Sequence, residues 1–115
     1  MRNFRELEIW KEAILLVTDI YRMLEAYPGK EKFNLISQME RCSVSIASNI
    51  AEGCRGSDKE LRHYLEISMG SGFELETQVE ISLNLGYINN EKHKEIIDKL
   101  TILLKRINAF RNKLK

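Results

Sequence analysis

The sequence predicts an all-α protein, an antiparallel up-down-up-down four-helix bundle. Three observations carry this. Four stretches repeat apolar residues every three or four positions, the period of one helix face. The connections between them are short, which sets consecutive helices antiparallel. One proline and 6 glycines supply few turn formers, and a β-rich fold needs many. No strand-like alternation, internal repeat or low-complexity tract competes.

The first helix is expected over residues 6–27, with Leu7, Trp10, Ile14, Val17, Tyr21 and Leu24 as its apolar row. Pro28-Gly29 ends it, because proline lacks an N–H and disfavours helix in the residue before it. The second is expected over 35–52, with Asn34 as N-cap. Its stripe is Leu35, Met39, Cys42, Ile46 and Ile50, and Gly53 suits the C′ position, where a positive φ is needed. The third opens at Ser57-Asp58-Lys59-Glu60, a capping box in which Ser57 and Glu60 each satisfy an orphan N–H. Leu61, Leu65, Ser68, Gly72, Leu75, Val79 and then Ser82 or Leu83 follow, and Gly86 closes it. The fourth begins after Asn89 or Asn90. It uses Ile96, Ile97, Leu100, Leu103, Leu104, Ile107, Phe110 and Leu114.

At 115 residues the chain is read as a single domain, residues 1–115, long enough to bury roughly 65% of its unfolded surface. Hydrophobic residues make up 43% and charged residues 30%, a globular balance rather than a disordered one. No apolar run reaches the roughly 20 residues of a membrane span. The charged N-terminus MRNFRELEIWKEA lacks a signal peptide's apolar region. A cytoplasmic protein with no membrane partner is expected, and Cys42 and Cys54 are read as free thiols. The net charge of +1 hides an asymmetry. Residues 58–86 hold two bases against six acids, residues 87–115 eight bases against three acids, and no acid follows Lys99.

The stretch SVSIASNIAEGCRGSDKE, residues 43–60, threads polar residues through an apolar face. Arg41, Ser45, Asn49 and Glu52 are spaced to form one row along the second helix. Glu74 and Gln78 are four apart on the third. The row reads as a polar seam inside the bundle or at a subunit interface. An exposed face and a ligand contact are the alternatives. Ser43, Ser45, Ala47, Ser48 and Ala51 on the second helix, with Ser68, Gly70, Ser71 and Gly72 on the third, point to close helix packing. Each glycine costs about 0.8–1 kcal/mol in a helix, and close approach of another backbone is the simplest compensation.

FRELEIWKEA, the Pro28 turn, Gln38 with Arg41, SIASNIAEG, the capped third-helix start and GSGFELETQ followed by LGYI keep their order along nearly the whole chain. In them the sequence resembles the four-helix-bundle proteins encoded in intervening sequences of bacterial 23S rRNA genes, sometimes labelled S23 ribosomal proteins. It is more distantly similar to the accessory variability determinant proteins of diversity-generating retroelements. The resemblance implies a cyclic homopentamer and an RNA or nucleoprotein partner. Trp10, Tyr21, Tyr64, Phe73 and Tyr87, spread around the helices, fit such an assembly. After Gly53 the chain departs from the common pattern: CRGSDKE replaces a more basic, glycine-rich loop, which weakens any nucleic-acid role there.

Catalytic chemistry finds little support. His63 and His93 lie on different helices without metal-ligand spacing. Cys42 reads as a small core residue, and Cys54 beside Arg55 is a weak sign of an activated thiol. Glu52 and Glu74 could meet, but lack the histidine of bundle carboxylate sites. There is no phosphate-binding glycine loop. No catalytic residue, metal or cofactor is expected. Lys99, Lys105, Arg106, Arg111, Lys113 and Lys115 are the nucleic-acid candidates, acting through phosphates, although bases also suit a helix C-terminus. The reading is a non-enzymatic homo-oligomeric scaffold or adaptor that binds RNA or a protein–RNA complex. The alternative is a purely protein-interacting module.

Overall fold

A computed structural model describes residues 1–115. Its helices are α1 (Glu8–Leu24), α2 (Leu35–Gly53), α3 (Asp58–Asn84) and α4 (Asn90–Lys113), with 3-10 turns at Phe4–Glu6 and Gly29–Glu31 and no strand. Each helix packs on its neighbours in sequence, α4 returns to α1, and the diagonal pairs do not meet. This is the four-helix bundle the periodicity predicts. All four helices feed one core, in which Ile20, Met39, Ile50, Leu65, Leu75, Leu100 and Ile107 are fully buried.

The third and fourth helices start as expected. The Glu60 N–H donates to Ser57 Oγ at 3.2 Å and the Ser57 N–H to Glu60 Oε1 at 3.4 Å, completing the capping box. Asn89 accepts the Lys92 N–H at 2.8 Å. Gly86 takes φ +78° and ends the α3 turn.

Three local expectations are corrected. The inner face of α1 is Ile9, Ala13, Leu16, Ile20 and Met23 with Leu24, while Ile14 and Tyr21 are exposed and Trp10 and Val17 lie at the flank. The helix is apolar over much of its circumference, so spacing alone admits two rotations, and packing between α2 and α4 selects one. Asn34 makes no side-chain cap. Its carbonyl instead accepts from the Gln38 N–H and Ser37 Oγ. Gly53 is the last residue of α2 and has no positive φ, because Cys54 follows in right-handed helical geometry. Its need for glycine is steric: a Cβ there would lie 2.8 Å from Leu61 Cδ1 and 2.9 Å from Tyr64 Cβ. Gly53 therefore lets the start of α3 close against the end of α2.

Both chain ends meet the α2–α3 corner. Arg2 donates to Asp58 Oδ1 at 3.0 Å and the Lys115 N–H to Asp58 Oδ2 at 3.3 Å. Arg62 donates to the Leu114 and Lys115 carbonyls, both at 3.0 Å.

Candidate functional site

α2 and α3 form the most extensively packed pair of helices, and small residues permit it. Ser68 Oγ donates to the Ile46 carbonyl at 2.7 Å, and Ser45 and Ser71 share a hydrogen bond at 2.8 Å. Asn49 Nδ2 donates to Ser45 Oγ at 2.9 Å and to the Ser45 carbonyl at 2.8 Å. Beside this contact lies a groove of about 370 Å³ lined by Gln38, Arg41, Cys42, Ser45, Ser71, Glu74 and Gln78. The structure thus brings together Arg41, Ser45, Glu74 and Gln78 of the sequence-derived row. Asn49 braces Ser45 from its own helix. Glu52 leaves the group and pairs with Arg55 at 2.8 Å.

Cys42 is half-buried: it packs against the core and also lines this groove. Its thiol donates to Glu74 Oε2 and accepts from Gln78 Nε2, each at 3.4 Å. Burial is the main cause of a raised thiol pKa, the Gln78 bond opposes it, and the Glu74 carboxylate adds to it. Gln78 is only 8% exposed, and its Oε1 has no hydrogen-bond partner. Arg41 is exposed and makes no ion pair.

The basic helix α4 is largely answered by neighbouring acids. Lys99 pairs with Asp19 at 2.8 Å and Glu95 at 3.5 Å, Arg106 with Glu12, and Arg111 with Glu66 at 3.3 Å. Of the six nucleic-acid candidates, only the side chains of Lys105, Lys113 and Lys115 make no ion pair. His93 Nε2 lies 2.5 Å from Glu80 Oε2, and His63 stacks edge-on with Tyr64. Cys54 is 2% exposed and its thiol is pushed up by burial, with Arg2 and the N-terminus, rather than Arg55, opposing the shift.

The outer face of α3 is a second surface. Ile67, Phe73, Ile81 and Leu85 are exposed, Phe73 to 64%, and helical spacing sets them in one row with Gly70 and Thr77. The two glycines of ISMGSGFE have different surroundings. A Cβ on Gly72 would lie 2.5 Å from Leu104 Cδ2, so Gly72 admits α4. The close neighbour of Gly72 is thus a side chain of α4. A Cβ on Gly70 would meet nothing within 4 Å.

The sequence profile of the 23S rRNA-intervening sequence proteins matches residues 5–109. The chain belongs to the 23S rRNA-intervening sequence protein family. The family assignment agrees with the motif order read along the sequence. Among solved structures, a protein of unknown function from the S23 ribosomal protein family of Bacteroides thetaiotaomicron is similar at a TM-score of 0.80 and 21% identity. The match covers 90% of this chain and 97% of that one, and shows a shared fold. No curated protein matches the chain. Three groove members, Gln38, Cys42 and Ser71, were missing from the expected polar row. Cys42 sits on an apolar period, and Ser71 looked like one more small residue in a run of them.

Proposed function

We propose that this family member is a non-enzymatic cytoplasmic scaffold that assembles with copies of itself through the outer face of α3. Gly70 carries the reading. It costs about 0.8–1 kcal/mol in a helix interior, faces open space within the chain, and lies in the exposed row of Ile67, Phe73, Ile81 and Leu85. A glycine inside an exposed row lets another helix approach closely, and apolar side chains gathered on one exposed face mark an interaction surface. The ring of five implied by the family resemblance is the proposed form. No helix is long and apolar enough to cross a membrane, so a spanning helix does not explain the exposed row. Light scattering tests the assembly. The native chain should give a multiple of 13.5 kDa, and Phe73→Glu a folded protein of lower mass. A native monomer at micromolar concentration would exclude the reading.

A second reading, RNA binding, rests on Lys105 and Lys113 of α4 and Lys115 just beyond it, whose side chains make no ion pair. Repetition around a ring would multiply these charges. Changing Lys105, Lys113 and Lys115 to Glu should weaken RNA retention for all sequences alike, with the salt slope flatter by roughly 0.7–0.9 per lost phosphate contact. Arg106 and Arg111 are left intact, because their reversal would set like charges beside Glu12 and Glu66. Absence of RNA retention at low salt would leave the protein-interaction module.

A further inference from the structure

On the side of the bundle formed by α1 and α4 lies another exposed apolar surface. These two helices are the least closely packed of the neighbouring pairs, and a groove of about 550 Å³ opens between them. Leu15 and Ile102 line it and are 66% and 51% exposed. The Glu12–Arg106 and Asp19–Lys99 ion pairs bridge the two helices on either side of them. Lys105 lies one turn beyond Ile102 on the same helix face, is exposed, and makes no ion pair. The outer face of α3 has the opposite charge. Helical spacing sets Glu74 in the row of Ile67, Gly70 and Ile81, and Glu74 too is exposed and makes no ion pair. From Tyr64 to Asn84 the chain holds four acids and no base, and from Lys99 to Lys113 five bases and no acid. Two α3 faces brought together would set acid against acid, whereas the α3 and α4 faces attract.

We propose that the α1–α4 groove receives the α3 face of a second copy of this chain, in a head-to-tail contact. The inference rests on self-assembly through α3 and names the other half of that contact. Phe73 of one copy enters the groove between Leu15 and Ile102 of the next, and Glu74 meets Lys105. The exposed apolar groups then cover each other, and two charges that have no partner within the chain gain one. Gly70, with nothing within 4 Å of its Cβ position, admits the rim of the groove. In such a contact every copy uses both surfaces, one to give and one to receive. A pair therefore still carries one free surface at each end, and growth stops when a ring closes. A face-to-face contact between two α3 helices would stop at a pair instead.

The test is a mixing experiment on the nuclease-treated full-length chain, read by light scattering. Phe73→Glu spoils the giving surface and Ile102→Glu the receiving one. Both side chains are exposed, so both variants should keep the native circular dichroism, and each alone should fall to the mass of one chain. Mixed above the concentration at which the native chain assembles, they should form a pair of twice 13.5 kDa and nothing larger, because each variant still owns the surface the other has lost. Charge exchange gives a second measurement. Glu74→Lys and Lys105→Glu should each raise the concentration needed for assembly several-fold, and the chain carrying both should recover, since the pair is restored with its signs exchanged. An Ile102→Glu protein that assembles like the native chain overturns the groove and leaves assembly through α3 standing. A mixture that stays at the mass of one chain, or a double charge variant worse than either single one, overturns the head-to-tail contact. A native monomer overturns this inference together with the reading beneath it.

Discussion

Ser45 Oγ and Ser71 Oγ lie 2.8 Å apart and join α2 to α3 where both helices carry small side chains. Ser71→Ala removes this link and leaves Ser45 with its Asn49 bond. The expected loss is about 1 kcal/mol, read as a melting temperature lower by roughly 4 °C or more. Asn49→Leu should cost a similar amount, because both Asn49 bonds run to Ser45 on the same helix. An unchanged melting temperature in both would mean that the bonds contribute nothing net.

Three glycine-to-alanine changes should separate three roles. Gly53→Ala meets Leu61 and the Tyr64 Cβ, so it should destabilise by about 1–3 kcal/mol. Gly72→Ala meets the tip of Leu104, which can turn aside, so its cost should be smaller. Gly70→Ala meets nothing within the chain and should stabilise the isolated fold by about 0.8–1 kcal/mol. Denaturant titration reads all three. A Gly70→Ala protein that is more stable yet assembles less well would separate folding from assembly.

The acid limb of stability should report on Asp58. The bond from Arg2 is the main cause of its carboxyl lying below the usual range, and the Lys115 N–H adds to it. A depressed carboxylate contributes stability above its unfolded value, about 3.9. That contribution is lost as pH falls through the lower folded value. The gap between the native chain and Asp58→Asn should therefore be open above about pH 4 and close below it. A gap independent of pH would remove Asp58 from the account.

The two thiols should react in order. Both lie above the usual cysteine range through burial, so little thiolate is present at neutral pH. Cys42 opens on the groove while Cys54 is enclosed. Iodoacetamide labelling followed by mass spectrometry should modify Cys42 slowly, and Cys54 only on unfolding. Cys54 reacting first would contradict its burial.

The bundle was legible because each element agreed with its neighbours. The Ser57–Glu60 box, the Asn89 cap and the Gly86 turn are local devices, and local sequence suffices to see them. The rotation of α1 was not, since Ile14 and Ile20 are equally apolar and only the surrounding helices choose between them. Gly53 was seen as a special position for the wrong reason: a glycine kept for space looks the same in sequence as one kept for φ. The groove was half visible. Arg41, Ser45, Glu74 and Gln78 follow helix spacing, but Cys42 is apolar by type and polar only by its partners. The ion pairs from α1 and α3 that answer much of α4's charge join residues up to 94 positions apart, beyond any local pattern.

The hold of Asp58 and Arg62 on both termini makes the fold nearly a closed loop. Residues 1 and 115 sit at one corner, so a short peptide joining them would cross little distance. New ends could then be opened in the exposed Gly29–Lys30 turn, at the opposite pole of the bundle. Such a circularly permuted chain would keep all four helix pairings and reorder only their connections. The order in which the helices are joined is thus separable from the order in which they pack.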